Sequence, residues 1–269
     1  MSFYTSLNGL KNAQTDLGVI AHNIANVETM GFKRSNTTFA DVVASSAQTD
    51  PRMVKGIGAT LEAITQNFSL GPIEQTGGSL DVAITGDGFF AMRSAESGKT
   101  LYTRNGGFGI DDAGFINDGS DNRLQVFPTD ATGTITSMTP ADAQIPAMNG
   151  TAEFAGVSVA ENGQIVATYA DGSNVYVGTA AIASFISPTG LKQIGSSNWE
   201  ATGISGAATF GVPGQGAYGS LMSGALERSN VDIAEELVGL ITAQRNFQAN
   251  AKAIDTATQI SQTVINLRT

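Results

Sequence analysis

The sequence of 269 residues has no cysteine and only one histidine, His22. The absence of cysteine excludes disulfides, thiolate-bound zinc and a thiol nucleophile, and one histidine is too few for a metal site built from imidazoles. Charged residues make up only 14% of the chain, and the longest basic run is Lys33-Arg34. Because nucleic acids are bound by clustered cations, this pattern and the formal net charge of −10 argue against a nucleic-acid partner.

Long apolar runs are also missing. No stretch of about 18 apolar residues is present, so the sequence predicts no membrane insertion. The N-terminus lacks the basic region and the continuous apolar segment of a cleaved signal peptide. We therefore expect a protein that either stays in the cytoplasm or is exported by a route that does not read such a signal.

Both ends of the chain, residues 5–28 and 231–267, repeat apolar or small residues at alternating steps of three and four. This spacing predicts two helices with one apolar stripe each, with Thr5 or Ser6 and Asp232 as N-caps. Because a solitary helix is marginal in water, each stripe must pack against the other helix or against copies of the chain. We predict a self-assembly seam formed by Leu7, Leu10, Leu17, Ile24, Val27, Ile233, Leu237, Leu240, Phe247, Ile254 and Ile265. Four polar residues interrupt this seam: Gln14, Gln244, Thr258 and Ser261.

Between the predicted helices, short apolar runs alternate with Gly-containing turns, which favours antiparallel strands. The Gly86-Asp87-Gly88 turn predicts a hairpin between residues 80–84 and 89–92. The turn at residues 111–114 predicts a second hairpin. A further series of strands is predicted at residues 157–159, 165–169 and 175–177, with Asn162-Gly163 and Asp171-Gly172 as turns.

The predicted fold class is α+β, with long N- and C-terminal helices that form a coiled-coil-like layer and a central antiparallel β-rich domain. We assign residues 1–30 and 228–269 to the helical domain and residues 31–227 to the β-rich domain. Three segments lack periodicity: residues 44–60 are polar and irregular, residues 128–156 are a loop or a reduced outer insertion, and residues 203–224 are a Gly-rich link.

Candidate catalytic and ligand sites all have simpler interpretations. Asp111 and Asp112 lie in a predicted turn, where aspartate bonds the backbone. Residues 117–122 have oxygen ligands but lack the spacing and the terminal Glu of a calcium loop. Residues 86–88 lack the helix and the Lys of a phosphate loop, and Trp199 alone favours core packing. The sequence therefore predicts no catalytic, cofactor or metal site.

Four blocks of sequence resemble those of one protein family. They are residues 10–39 (LKNAQTDLGVIAHNIANVETMGFKRSNTTF), residues 80–90 with 102–108 (LDVAITGDGFF and YTRNGGF), residues 183–206 and residues 224–268. They cover both ends and much of the middle, in the order found in the bacterial flagellar axial proteins. The chain thus resembles the flagellar rod and hook proteins.

Within this family the tail, at residues 244–251 and 264–268, is most similar to the hook members. The leading interpretation is therefore a subunit of the tubular hook, the flexible joint that transmits torque from the rod to the filament. Hook members carry a sizeable outer domain for which residues 128–156 leave little room, so a distal rod subunit is the alternative. A secreted sugar-binding or hydrolytic β protein is a remote alternative.

The resemblance implies a structural protein with no enzymatic activity and no cofactor. Copies would form a helical tube around a central export channel, with the terminal helices as its inner layer. Expected partners are flagellar rod, hook cap and hook-filament junction proteins. The expected location is the extracellular flagellum, in the hook or basal body, reached by type III export without a cleaved signal peptide. Candidates for ion pairs between copies include Lys33, Arg34, Glu227, Arg228 and Glu235.

Overall fold

The computed structural model describes residues 2–44 and 55–267, which contain two long helices, α1 (Ser2–Ala25) and α2 (Ile233–Asn266), and one short 3-10 helix, Pro188–Gly190. The strands between α1 and α2, in chain order, are β1 Ser35–Ala44, β2 Lys55–Gln66, β3 Ile73–Gln75, β4 Val82–Thr85, β5 Phe89–Ser94, β6 Thr100–Thr103, β7 Gly109–Ile110, β8 Ile116–Asn117, β9 Asn122–Phe127, β10 Ala141–Asp142, β11 Met148–Asn149, β12 Ala152–Val159, β13 Gln164–Tyr169, β14 Asn174–Ala180, β15 Ile182–Ser184, β16 Lys192–Gly195, β17 Asn198–Glu200, β18 Thr209–Gly211, β19 Ser220–Ser223 and β20 Ala225–Glu227.

The chain divides into two compact units, which we call the helical unit (residues 1–27, 34–67 and 231–269) and the β unit (residues 28–33 and 68–230). This division differs from the predicted one, because residues 34–67 group with the helices. The reason lies in side-chain contacts with α1. Asn12 Nδ2 donates to the Ala59 carbonyl at 2.9 Å, and Thr37 Oγ1 donates to Asp16 Oδ1 at 2.5 Å.

Within the helical unit, β1 and β2 form an antiparallel pair with two register shifts, between Thr38 and Phe39 and between Val42 and Val43. The segment predicted to be irregular, residues 44–60, falls partly on residues 45–54, which lie outside the described residues. Its remaining part, residues 55–60, belongs to β2. The backbone of this segment pairs with β1, apart from the register shift opposite Val42 and Val43.

The β unit is built on one large sheet in which the described strand pairs are antiparallel. Along its main path the strand order is β11-β12-β13-β14-β9-β5-β6-β17-β16. Two separate two-stranded sheets pair β19 with β4 and β20 with β3. The fold therefore contains the predicted helices and antiparallel β-rich region, whereas a coiled-coil layer stays a prediction.

The predicted hairpin around Gly86-Asp87-Gly88 is wrong. β4 pairs with β19, far away in sequence, and β5 pairs with β6, β9 and β15. Gly86 and Gly88 have φ angles of +118° and +128°, well beyond the left-handed helical values that a tight hairpin turn uses. A Cβ on Gly88 would overlap with Ile182, so this glycine serves close packing instead of a hairpin.

The other predicted strand pairs are confirmed. β7 and β8 flank the turn at residues 111–114, and β12, β13 and β14 form consecutive antiparallel pairs. Residues 128–156 and 203–224 contain more structure than the sequence indicated. β10 pairs with β9 and β11 with β12, while β18 pairs with β15 and β19 with β4. Strands this short carry too few residues for a visible period.

The ends of the helices follow local chemistry. Asp232 caps α2 as predicted, and its carboxylate accepts hydrogen bonds from the backbones of Ala234 and Glu235 at 2.8 and 3.3 Å. α1 begins at Ser2, so Thr5 and Ser6 lie inside the helix instead of capping it. Among the described residues, neither helix combines the length and the apolar character that crossing a membrane requires.

The β unit has a well-packed interior. Its main apolar cluster joins residues from β4, β5, β9, β13 and β15, including Ile84, Phe90 and Ile165. A second cluster is aromatic, with Trp199 fully buried and 5.8 Å from the ring of Phe89. These clusters give the β unit its own hydrophobic core.

Candidate assembly surface

Helices α1 and α2 pack against each other in antiparallel orientation. A Cβ atom built on Gly9 would lie 2.5 Å from Asn250 Oδ1, and one built on Gly239 would lie 3.4 Å from Ile20 Cδ1. Asn23 Nδ2 donates to a carboxylate oxygen of α2, Glu236 Oε1, at 3.3 Å. Because numbers rise along α1 as they fall along α2, the helices run in opposite directions. The two terminal helices therefore pack together within one molecule.

Small residues form the centre of this helix contact. Ala13 and Ala243 are buried, and Gly9 and Gly239 touch the facing helix. Small side chains let two helices approach closely but remove little apolar surface from water. The contact within one chain is therefore close and only modestly stabilising.

A polar cluster joins the end of α1, the start of β1 and the start of α2. Asn23 exchanges two hydrogen bonds with the backbone of Ser35, at 2.9 and 3.0 Å. Arg34 binds Glu236 at 2.7 Å and Glu235 at 2.9 Å. Glu236 is 2% exposed, so the loss of Arg34 would leave a buried carboxylate with a weaker set of partners. This cluster fixes the start of α2 on the helical unit.

The predicted seam residues divide into two groups. Seven are partly buried: Leu7, Leu10, Leu17, Ile24, Val27, Leu240 and Ile254. The other four are exposed to 46%, 46%, 37% and 65%: Ile233, Leu237, Phe247 and Ile265. The centre of the α2 contact lies instead on Glu236, Gly239 and Ala243, which carry little or no apolar signal. The sequence does contain a signal for this contact: small residues lie four positions apart, Gly9 with Ala13 and Gly239 with Ala243.

The last ten described residues of the chain, 258–267, are all exposed. They include four large apolar side chains, Ile260, Val264, Ile265 and Leu267, which are 60–81% exposed. Farther toward the start of α2, Leu237 and Ile241 add a stripe with a spacing of four residues. α2 therefore presents apolar surface that the described part of this chain leaves uncovered.

Two of the polar residues that interrupt the seam satisfy their hydroxyls on their own helix. Thr258 Oγ1 donates to the Ile254 carbonyl at 3.0 Å, and Ser261 Oγ donates to the Ala257 carbonyl at 2.9 Å. A hydroxyl that is bonded in this way can face another helix without leaving an unsatisfied donor. These interruptions are thus compatible with a packed interface.

The β unit holds a buried charge cluster that the sequence did not reveal. Lys33, Arg104 and Glu227 are 0–2% exposed, and Glu227 accepts from Lys33 Nζ at 2.5 Å, from the Gly71 backbone at 2.8 Å and from Arg104 at 3.4 Å. Burial lowers the pKa of Lys33 from its usual value, and the Glu227 carboxylate opposes this effect. The cluster anchors residues 28–33 to the rest of the β unit.

The proposed ion pairs between copies need correction at these positions. Lys33 and Glu227 are buried within one chain, and Arg34 is already paired with two carboxylates. Arg228 likewise pairs with Glu28 and, at 3.3 Å, with Glu74. A charge that is satisfied inside the chain has little to gain from another copy. These residues therefore make their ion pairs within the single chain.

Three family models match this chain. They are "Flagella basal body rod protein" at residues 3–33, "Flagellar hook protein FlgE/F/G D1 domain" at residues 83–167 and "Flagellar basal body rod FlgEFG protein C-terminal" at residues 222–267. The flagellar basal-body rod protein FlgG of Bacillus subtilis is 36% identical over 99% of this chain and 98% of its own length. The chain belongs to the flagellar rod and hook protein family.

Other relatives include both a rod protein and a hook protein. FlgG of Agrobacterium fabrum is 33% identical over 95% of each chain. The flagellar hook protein FlgE of Escherichia coli is 26% identical over the whole of both chains, but that alignment runs over 410 positions, so FlgE carries a long stretch that this axial protein lacks. The relatives are structural proteins of the flagellum, and this chain is a flagellar structural protein, not an enzyme.

Proposed function

We propose that this axial protein is a subunit of the distal rod of the flagellar basal body. One observation carries the proposal: the similarity to FlgG rod proteins extends along nearly the whole of both chains, at 36% identity for the Bacillus subtilis protein. The extra stretch of the E. coli hook protein has no counterpart here. The rod thus fits this chain better than the hook does, and it replaces the hook as the leading assignment.

In the proposed rod, copies assemble into a helical tube whose inner coiled-coil layer is formed by α1 and α2 around an export channel. The exposed apolar side chains of α2 support this role, because contacts between neighbouring copies would remove them from water. The predicted seam enters this proposal through its exposed members, Ile233, Leu237, Phe247 and Ile265. Its other members are already partly buried within one chain.

A hook subunit is the second candidate, because the E. coli hook protein aligns with every part of this chain. In either location the proposed partners are further copies of this chain and the adjoining rod and hook subunits. We further propose that the chain reaches the flagellum by type III export without a cleaved signal peptide. The terminal helices, which leave apolar surface exposed in one molecule, complete their packing after export.

Electron microscopy of basal bodies from a deletion strain tests the assignment. If the chain is a distal rod subunit, its loss leaves truncated rods without hooks, and the full-length chain supplied in trans restores both. Complete rods that lack only the curved hook would instead support the second candidate. Normal flagella in the deletion strain would contradict both assignments.

A further inference from the structure

Two isoleucine side chains, Ile186 and Ile204, project into solvent from neighbouring loops of the β unit. They are 91% and 80% exposed, the highest values among its large apolar residues. Single exposed apolar residues are ordinary, but here two such residues stand on one site. We call this pair the isoleucine knob.

The knob stands on a rigid base. Thr202 Oγ1 donates to the Gly190 carbonyl at 2.6 Å, and the Ser187 backbone donates to the Ser205 carbonyl at 3.3 Å, so the two loops are tied together. The Ser205 side chain is fully buried and bonds Thr202 in both directions at 2.9 Å. A Cβ on Gly190 would lie 2.6 Å from the Ser205 backbone nitrogen, so only glycine permits this approach. Loops that are held in this way lose little conformational entropy when they enter an interface.

An apolar groove lies elsewhere on the same unit. It has a volume of about 170 Å³ and is lined mainly by Ile110, Ile145, Pro146, Ala147 and Phe154. A dry cavity of about 150 Å³ lined by apolar residues holds a benzene ring, so this groove has room for an isoleucine side chain. The exposure of Ile186 and Ile204 means that the knob does not fill the groove of its own chain.

The charges beside the two features are complementary. Asp111 and Asp112 border the groove, and Asp112 is exposed. Lys192 follows the 3-10 helix of the knob by two residues and is also exposed. An acidic rim and a basic neighbour favour one orientation of contact between two copies.

We propose that the isoleucine knob of one copy inserts into the apolar groove of the next copy. The occupant is a second copy of this chain, because the exposed Lys192 near the knob complements the acidic rim of the groove. Since knob and groove are different surfaces, the contact is heterologous and extends into an open array instead of closing at a dimer. This inference rests on the proposed self-assembly and adds a specific contact between β units.

Disulfide trapping tests the contact, and the natural absence of cysteine removes background from this chain. The full-length double variant Ile204→Cys with Ala147→Cys replaces the deleted gene, and isolated flagellar basal structures are oxidised and separated without reductant. We expect a ladder of dimers, trimers and larger multimers, because each copy carries both partners. Matched controls are Ile204→Cys alone and Ile194→Cys with Ala147→Cys, where Ile194 is 44% exposed on β16, outside the knob. These controls should give no ladder.

A second measurement covers the case in which the cysteine variant does not assemble. Ile186→Ser with Ile204→Ser should reduce the amount of assembled chain by about tenfold or more, because two buried apolar side chains are lost from each contact. Ile194→Ser should leave it unchanged. The circular dichroism of all variants should match the parent, since the changed residues are exposed.

The outcomes separate this inference from the rod assignment. A ladder of disulfide-linked multimers obtained from isolated hooks would support the contact and contradict the rod assignment. If rods form without a ladder and the double change Ile186→Ser with Ile204→Ser leaves assembly unaffected, the contact is overturned and the rod assignment stays intact. Cross-links only to other flagellar proteins would also overturn it, and a parent chain that assembles nowhere would overturn both.

Discussion

The two units of this protein differ in where their large apolar side chains lie. The β unit buries Phe90, Tyr169 and Trp199 to 1% exposure or less. In the described part of the helical unit, the buried apolar residues are only Ala13, Ile20, Val231 and Ala243. Many of its larger apolar residues are more than a third exposed, including Leu237 and Ile241.

This difference assigns separate tasks to the two units. A unit with a closed core gains its stability inside one chain, whereas apolar surface left in water can be removed from it only by association. The helical unit is therefore the part whose packing a polymer would complete. The β unit is the part that should remain folded whether or not copies assemble.

Removal of the terminal helices should have the largest effect, because it takes away both long helices of the helical unit. We expect residues 28–230, without residues 1–27 and 231–269, to retain a cooperative thermal transition while losing all assembly. The cut is placed after residue 27 because Lys33 and its neighbours belong to the buried charge cluster. Circular dichroism and sedimentation measure the two properties. Tubes formed by the truncated chain, or a chain without a thermal transition, would refute the division of tasks.

Loss of the central carboxylate of the charge cluster should destabilise the β unit. Glu227→Ala leaves Lys33 and Arg104 buried without their partner, so we expect unfolding free energy to fall by about 3–5 kcal/mol. Arg228→Ala is the matched control. Its ion pairs with Glu28 and Glu74 are partly exposed, so its loss should cost about 0–1 kcal/mol. Equal losses in urea unfolding would contradict the importance of the buried cluster.

A pair of leucines on α2 separates the two kinds of contact in the helical unit. Leu240→Asp places a charge on a partly buried position, so we expect α2 to lose about 1–3 kcal/mol of local stability in hydrogen exchange. Leu237 is 46% exposed, so Leu237→Asp should change local stability by less than about 0.5 kcal/mol. Leu237→Asp should nevertheless reduce assembly, because it places a charge in the exposed apolar stripe that Leu237 forms with Ile241. Normal assembly of Leu237→Asp would remove that stripe from the interface.

Elements with strong local signals could be predicted from the sequence. The two helices follow from apolar spacing. Asp232 marks the start of α2, because its side chain accepts hydrogen bonds from the first backbone N–H groups of the helix. The meander from β12 to β14 follows from Asn-Gly and Asp-Gly turns between short apolar runs. In each case the deciding interactions lie within a few residues of chain.

Elements that depend on distant partners could not be predicted. The pairing of β4 with β19 joins residues 82–85 to residues 220–223, and the turn after β4 resembles a hairpin signal. The centre of the helix contact uses Gly9, Gly239 and Glu236, which an apolar search passes over. The seam between copies stays a prediction, and the contact within one chain centres on these other positions.

The two terminal helices, the antiparallel character of the middle and the membership in a flagellar family follow from the amino-acid sequence, because they depend on local periodicity and on blocks of residues. The three-dimensional structure was needed to show that Lys33, Arg104 and Glu227 share one buried site and that the last described turns of α2 are exposed. Burial and charge pairing depend on which distant segments meet, and that information is absent from any short stretch of chain.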